Sequence, residues 1–284
     1  MPQTCYRHPN RETAVSCSNC GRPICPECMT PTPVGMRCPE CSNQRTRVVR
    51  NPTGTPTGSG LLQVMPATIV LIAINVIVYL VEIAKGGGGL GEIGIQTIYN
   101  TGGLWGPAVH ELHQWWRIVT SGFVHVSIFH IGFNMLLLYF MGRLLEPAIG
   151  WLRFTVLYFA CLIAGSFVAL WFSPDTVSAG ASGAIFGVLG ATFIIARGRQ
   201  MEQIASQIGF LIIFNLVFTF AESGISVGAH VGGLVAGVLC GLLIVAGEQG
   251  RYGRGLDRNS RLAIELSLMT IIGVISFILA LAVA

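Results

Sequence analysis

The stretch Gly180-Ala181-Ser182-Gly183 opens one apolar segment of this 284-residue chain, and Gly228-Ala229-His230-Val231-Gly232-Gly233 opens another. Each stretch places one reactive side chain, a hydroxyl or an imidazole, beside glycines at the start of a hydrophobic run. A serine hydroxyl next to an imidazole is the nucleophile and base of a hydrolase. If Ser182 and His230 meet, the sequence predicts hydrolysis inside a lipid bilayer.

Glycines around both residues also support another interpretation. Small residues allow membrane helices to pack closely, so the Ser182 stretch taken alone is more typical of a packing motif than of a nucleophile. A single histidine within a span is equally typical of a structural hydrogen bond. After His230, Gly237 and Gly241 recur at four-residue spacing and lie on one helix face. This stripe predicts close approach to a neighbouring helix. If that neighbour begins with Ser182, the histidine reaches the hydroxyl.

The composition indicates a membrane protein. The chain is 52% hydrophobic and 11% charged, whereas soluble domains are about 25% charged. We therefore predict an all-α polytopic membrane fold with seven apolar segments. They are 64–84, 122–145, 150–172, 182–197, 206–221, 228–246 and 263–284. A spanning helix needs about 20 residues, so the short segment 182–197 is expected to begin below the membrane surface.

The basic residues orient these segments. Eleven arginines flank the ends on one side, against Lys85 and Arg117 on the other. The positive-inside rule then predicts a cytoplasmic N-terminus and an extracytoplasmic C-terminus of a multi-pass cell-membrane protein. The second, fourth and sixth segments all start near the outer face. His125, His130 and Asn134, expected in the first half of segment two, should therefore lie at the depth of the reactive pair.

His130 and Asn134 are four positions apart and so share one helix face. Both side chains can donate hydrogen bonds to an oxyanion, although a polar pair that ties two helices together is an equal alternative. The only aspartates, Asp175 and Asp257, fall in loops. The sequence therefore favours a Ser-His dyad without a third, acidic member.

Together these motifs resemble the rhomboid intramembrane serine proteases over residues 62–284. The residues that carry the resemblance are Gly180 to Gly183, His230 with Gly233 and Gly237, His125, His130 and Asn134, and Trp116-Arg117. The resemblance implies a six-helix core with a seventh C-terminal span. It also implies Ser182 as nucleophile, His230 as base, and His130, Asn134 and the Ser182 N–H as oxyanion donors. Phe186 stands where relatives often have a tyrosine, and it should still stack on His230.

The implied activity is that of a serine endopeptidase acting on single-span membrane proteins. Cleavage is expected near the extracytoplasmic face, at a small residue in a helix that unwinds easily, without a catalytic cofactor. Partners are then transmembrane substrates and the lipid bilayer. The aromatic-rich loop 85–121 is expected to lie partly in the outer leaflet, with an ordinary packed loop as the alternative. An inactive rhomboid-like binding protein is disfavoured because Ser182 and His230 are both present, and a transporter because charges within the spans are scarce.

The N-terminal residues form a separate ligand pattern. Its eight soft ligands come in four pairs: Cys5 and His8, Cys17 and Cys20, Cys25 and Cys28, Cys38 and Cys41. Such pairs fit two closed tetrahedral zinc sites, which are structural. The pattern resembles B-box fingers, whose cross-bracing implies that the first pair joins the third and the second joins the fourth. Sequential pairing is the alternative, and disulfides are disfavoured in a reducing cytoplasm.

The predicted organisation is a zinc-binding module at 1–41, a polar linker at 42–61 and a membrane protease domain at 62–284. The module is too small and too weakly basic to indicate nucleic acid, so no nucleic-acid partner is expected. A cytoplasmic protein partner or a regulatory role is the prediction for it.

Overall fold

A computed structural model of the chain describes residues 3–32, 35–43, 64–85, 93–221, 224–253 and 255–284. It divides into two compact units, Met1–Gly54 and Thr55–Ala284, named here the cysteine unit and the membrane unit. Beyond position 43, the predicted linker at 42–61 lies outside the described residues.

Short elements around buried cysteines make up the cysteine unit. Strands β1 (Gln3–Thr4) and β2 (Glu12–Thr13) pair antiparallel, as do β3 (Thr30–Thr32) and β4 (Gly35–Arg37), and helix α1 covers Pro39–Asn43. Ile24 and six of the cysteines form the core. Elements this short bury too little apolar surface to be stable alone, so domains of this size normally need a cross-link or a metal.

Helices dominate the membrane unit. They are α2 (Pro66–Ala84), α3 (Ile95–Thr101), α4 (Gly106–His110), α5 (Arg117–Thr120), α6 (Ile128–Ile149), α7 (Trp151–Phe172), α8 (Ser182–Gly198), α9 (Glu202–Ala221), α10 (Val227–Glu248) and α11 (Arg258–Val283). Among the described residues, six are long and apolar enough to cross a membrane, and α8 is a shorter apolar helix of 17 residues. All seven predicted segments are therefore helical, and the predicted all-α membrane fold is confirmed.

The start of the second span differs from the prediction. Segment two was expected from residue 122, with His125 in its first half, but α6 begins at Ile128. Ser127 caps that helix, because its side chain accepts a hydrogen bond from the His130 N–H at 3.2 Å. An N-cap residue has extended backbone and ends the helix on its N-terminal side. His125 therefore lies in the preceding loop, and its predicted place within the helix is wrong.

Helices α8 and α10 pack backbone against backbone. A Cβ atom on Gly233 would lie 1.9 Å from the carbonyl oxygen of Gly183, and one on Gly237 would lie 1.9 Å from that of Gly187. No side chain fits at such distances, so this crossing requires glycine. The predicted close approach through the glycine stripe is confirmed, and its partner is the helix that begins at Ser182.

This packing predicts that Gly237→Ala destabilises the membrane unit. The added methyl must push α8 and α10 apart, and overpacking of this kind typically costs about 1–3 kcal/mol, despite the better helix propensity of alanine. Gly132→Ala on α6 is the matched control, because a Cβ there meets no atom within 4 Å. Thermal unfolding in detergent measures both. Equal melting temperatures for Gly237→Ala and the wild type would contradict the close crossing.

The long first loop folds against the bundle through α3, α4 and α5. Ile98, Leu104 and Ile118 are buried, and Leu104 exchanges two 2.8 Å backbone hydrogen bonds with Ser178. The guanidinium of Arg117 is also buried, and it donates to the backbone carbonyls of Tyr99 and Gly103 at 2.8 and 2.7 Å. Arg117 thus holds the loop together from within, which explains an arginine in that position.

Two tryptophans of the same loop point outwards. Trp115 and Trp116 are exposed, and the Trp115 ring meets Phe277 of α11 edge-on at 6.4 Å. Tryptophan is enriched at the membrane-water interface. The loop therefore combines a packed inner face with an exposed aromatic pair of a kind suited to the interface, and its place in the outer leaflet stays a prediction.

Buried carboxylates tie the spans together. Glu146 of α6 accepts hydrogen bonds from the backbone N–H groups of Ala67 and Thr68, both at 2.8 Å, and so caps the start of α2. Glu265 of α11 pairs with Arg153 of α7 at 2.5 Å. Buried charges require such partners. The second contact fastens the seventh span to the core.

Candidate active site and metal centres

Ser182 and His230 meet where α8 and α10 begin. The Oγ atom of Ser182 lies 2.7 Å from Nε2 of His230. Ser182 is the first residue of α8, after the cap residue Ala181, and α10 is capped by Ser226, whose hydroxyl accepts from the Ala229 N–H. The glycine-mediated crossing described above brings these two helix starts together. The distance suits proton transfer from a nucleophilic hydroxyl to an imidazole base.

Two further side chains fix the imidazole of His230. The ring of Phe186 stacks on it with centroids 4.2 Å apart and planes 20° from parallel, so the stacking expected from the sequence is confirmed. The hydroxyl of Thr219, on α9, lies 2.7 Å from Nδ1. Thr219 was not among the site residues predicted from the sequence. His230 itself is buried, so these contacts determine its orientation.

His130 and Asn134 lie beside the backbone that precedes Ser182. Gly180 has φ of +125°, and a Cβ built on it would lie 2.8 Å from His130 Nε2 and 3.7 Å from Asn134 Nδ2. Within the described part of the chain, His130 Nδ1 and Asn134 Nδ2 are buried without a hydrogen-bond partner. Buried polar groups are seldom left unpaired. Asn134 Nδ2 is an unpaired donor beside the backbone that leads to Ser182, and such a donor is suited to receive a negatively charged oxygen.

His125 has a different environment from the one predicted. Its Nε2 atom lies 3.5 Å from the Ala181 backbone nitrogen and its Nδ1 atom 3.3 Å from the Phe123 carbonyl oxygen. The Nδ1–H can therefore donate to that carbonyl while Nε2 accepts from Ala181. Glu82, which the sequence analysis overlooked, is fully buried and lies 3.4 Å from the His125 backbone nitrogen. His125 supports the turn before Ser182 and is not a free donor.

A small cavity adjoins the same turn. Its walls are mostly glycine, alanine and serine, including Gly165, Ser166, Gly180, Gly183, Ala184 and Ala229. Walls of this kind leave room for a small group next to the Ser182 backbone. A bulky side chain would meet the backbone of α7, α8 or α10.

Two groups of four ligands lie in the cysteine unit. Cys5, His8, Cys25 and Cys28 form one, and Cys17, Cys20, Cys38 and Cys41 form the other; the ligand atoms in each lie within 4.8 Å of one another. This is the cross-braced pairing and not the sequential one. Four mostly buried soft donors around one point fit tetrahedral zinc.

The cysteine sulfurs are too far apart for disulfides. The closest approach recorded between sulfurs of the second group, Cys20 to Cys38, is 3.8 Å, against about 2.05 Å for a disulfide bond. All nine cysteines of the sequence lie in the described residues, and all are free. Nearby, Tyr6 and Arg7 both contact the carboxylate of Glu40. The hydrogen bond from Tyr6, helped by Arg7, lowers the pKa of Glu40 to about 2.

The fold and site define a multi-pass helical membrane protein with a serine and a histidine paired between two spans. A family model described as the rhomboid domain matches residues 112–247. That range runs from the first loop through most of α10 and includes both Ser182 and His230, so this part of the membrane unit is similar to the rhomboid domain.

Individual relatives agree with this assignment. The chain is 41% identical over 105 residues to the rhomboid protease GluP of Bacillus subtilis, covering 36% of this chain and 20% of that protein. It is 38% identical over 94 residues to RHOMBOID-like protein 2 of Arabidopsis thaliana, covering 33% of this chain and 29% of that protein. Inactive RHOMBOID-like protein 8 of the same plant is 38% identical over 96 residues, with 34% of this chain and 27% of that protein covered. The matches thus span less than a third of these relatives.

Proposed function

We propose that the chain is an intramembrane serine endopeptidase that cleaves single-span membrane proteins near the extracytoplasmic face. The observation that carries the proposal is the 2.7 Å contact between Ser182 Oγ and His230 Nε2. An inactive relative shows that the family alone does not guarantee catalysis. The bonded pair, at the start of two tightly crossed helices, favours an active enzyme over a binding protein.

The proposed reaction begins with proton transfer. As Ser182 Oγ bonds to the substrate carbonyl carbon, its proton passes to His230 Nε2, and the carbonyl oxygen becomes an oxyanion. His230 then donates this proton to the departing amine, which breaks the peptide bond and leaves an acyl-enzyme. A water molecule, deprotonated by the same nitrogen, releases the acid product and restores the serine hydroxyl.

The oxyanion is stabilised by His130, Asn134 and the backbone N–H of Ser182. Asn134 Nδ2 is buried and unpaired, and the His130 ring borders the backbone of Gly180. The Ser182 N–H is one of the first N–H groups of α8, which have no partner within their own helix, and the helix dipole there favours negative charge. Donors arranged before the reaction need little rearrangement in the transition state.

The cavity beside Gly183 supports a preference for a small substrate side chain. Its volume is about 20 Å³, room for about one water molecule, so a bulky side chain would not fit. The substrate helix must also unwind locally, because in a helix each peptide bond is shielded by its neighbours. We assign the cleavage site to the extracytoplasmic side, with the N-terminus in the cytoplasm, on the distribution of arginines.

Purified full-length protein in liposomes tests this function. The substrate is a single-span reporter with an alanine near its extracytoplasmic end and a glycine-proline pair just after it. A matched reporter with leucines at these three positions is the control. We expect cleavage of the first reporter and slower cleavage of the second, at a bond identified by mass spectrometry. Cleavage within the soluble part of either reporter would overturn the intramembrane assignment.

For residues 1–41 we propose two structural zinc ions, one in each four-ligand group, and a cytoplasmic protein as the partner of this module. The ions would hold together strands too short to be stable alone. Catalysis would not use them, because Ser182 and His230 suffice for the reaction proposed.

Removing zinc should unfold the cysteine unit and leave proteolysis largely unchanged. We expect two zinc ions per chain by elemental analysis and loss of both after strong chelation, since the metal supplies the folding free energy of such modules. Cys25→Ser and Cys38→Ser should each remove one ion, and Cys161→Ser in α7 should remove none. Reporter cleavage in the same samples is the second readout. Activity that falls in proportion to zinc would show that the module is part of the catalytic machinery.

A further inference from the structure

We infer that Thr219 is a positioning residue that holds His230 in the tautomer needed for catalysis; this inference rests on the proposed protease function. Thr219 lies on α9, whereas the serine and histidine lie on α8 and α10. It is one of three buried residues recorded on α9, with Ala205 and Ile208. Its hydroxyl lies in this buried position beside Nδ1, the ring nitrogen of His230 that does not contact Ser182.

The tautomer of His230 depends on the single proton of the Thr219 hydroxyl. Thr219 Oγ1 lies 2.7 Å from the carbonyl oxygen of Asn215 and 2.7 Å from Nδ1 of His230. A carbonyl oxygen only accepts, so the threonine proton must point to Asn215. A hydroxyl has one proton, and Thr219 Oγ1 can therefore only accept from His230. The ring must carry its own proton on Nδ1.

This arrangement determines what the other nitrogen does. A neutral imidazole with hydrogen on Nδ1 has a bare Nε2. Nε2 lies 2.7 Å from Ser182 Oγ and can then accept the serine proton. If the ring carried its hydrogen on Nε2, it would donate to Ser182 and could not act as base. In serine proteases with three members, an aspartate selects this tautomer; here an uncharged hydroxyl on a third helix does so.

The Thr219 hydroxyl also stabilises the protonated, charged form of His230. After His230 takes the serine proton, both ring nitrogens carry hydrogen. Thr219 Oγ1 remains an acceptor for Nδ1–H, so the imidazolium has a partner in a buried site where an unpaired N–H is costly. Phe186 fixes the ring plane by stacking but offers no acceptor at Nδ1. Thr219 therefore has a role that stacking cannot replace.

The test compares Thr219→Val, Thr219→Ser and Thr192→Val in liposomes. Valine keeps the shape of threonine without the hydroxyl, and serine keeps the hydroxyl. Thr192 on α8 is the matched control, since it is buried and donates to the carbonyl of Val188 at 2.7 Å in the same way, without a recorded contact to the histidine. Loss of the partner that orients a metal-binding histidine lowers activity or affinity about 10- to 100-fold, and we expect a loss of the same order for His230.

We expect kcat to fall by that factor in Thr219→Val with KM nearly unchanged, and Thr219→Ser to restore most of it. Thr192→Val should keep wild-type kcat. Equal kcat in wild type and Thr219→Val would overturn the role of Thr219 while leaving the protease function intact. A wild type that cleaves no faster than Ser182→Ala would instead reject the protease function itself.

A second measurement covers the case in which Thr219→Val does not fold. Nitrogen-15 chemical shifts of His230 in the wild type distinguish a protonated from a bare ring nitrogen. A protonated Nδ1 with a bare Nε2 at neutral pH supports the inference. A neutral ring protonated on Nε2 overturns it, whatever the variants do.

Discussion

Ser182→Ala should abolish reporter cleavage, with a loss of about 10⁴-fold or more, because removal of the nucleophile leaves only the residual catalysis of the binding site. Among the residues that the structure describes, the Oγ atom makes no hydrogen bond except with His230, so the fold should survive. We expect the melting temperature in detergent to stay near that of the wild type. Cleavage rates and thermal unfolding of the same preparation provide the comparison.

His230→Ala should be equally inactive, since the hydroxyl then lacks a base. The double variant should be no worse than either single one, because residues that act as one unit are not additive. Ser276→Ala is a suitable serine control, as Ser276 is buried on α11 and does not line the cavity beside Gly183. Substantial activity in Ser182→Ala or His230→Ala would end the Ser-His interpretation.

Asn134→Ala should lower turnover about 10²- to 10³-fold, the usual effect of losing one oxyanion donor. Its Nδ2 atom is buried and unpaired among the described residues, so its removal breaks no recorded hydrogen bond. The main effect should therefore be on kcat and not on stability. His130→Ala should act similarly, and steady-state kinetics with the liposome reporter measure both.

The combined variant of His130 and Asn134 reports whether they share one task. If both stabilise the same oxyanion, the double substitution should cost less than the product of the single losses. Gln203→Ala is a control for loss of a polar side chain. Gln203 is exposed near the start of α9, at the opposite end of that helix from Thr219 and the active site. Strictly multiplicative losses would mean that the two donors act independently.

The sequence predicted the features that depend on simple periodicity. Seven apolar runs became seven helices because hydrophobic length alone determines which segments span a membrane. Gly233 and Gly237 of α10 predicted the close crossing, because only glycine, which lacks a Cβ atom, allows the carbonyl oxygens of α8 to approach this closely. Ser182 and His230 could be paired in advance, since each opens a span that starts on the same side.

Other features could not be predicted because they depend on tertiary contacts. A lone threonine in an apolar helix usually bonds its own backbone, and Thr219 does so with Asn215. Only the packing of α9 against α10 reveals its second contact, with His230. His125 lies outside α6 because Ser127 acts as the N-cap of that helix. The apolar segment predicted from the sequence extended across both residues, so it did not show where the helix begins.

The central claim is that Ser182 is a nucleophile activated by His230, and a fluorophosphonate probe tests it most directly. Full-length protein in liposomes is labelled, digested and mapped by mass spectrometry. We expect one adduct, on the peptide that contains Ser182, which is absent from Ser182→Ala and from His230→Ala and retained in Ser276→Ala. A protein that cleaves the reporter while its adduct lies on another serine, or while Ser182 stays unlabelled, would contradict it.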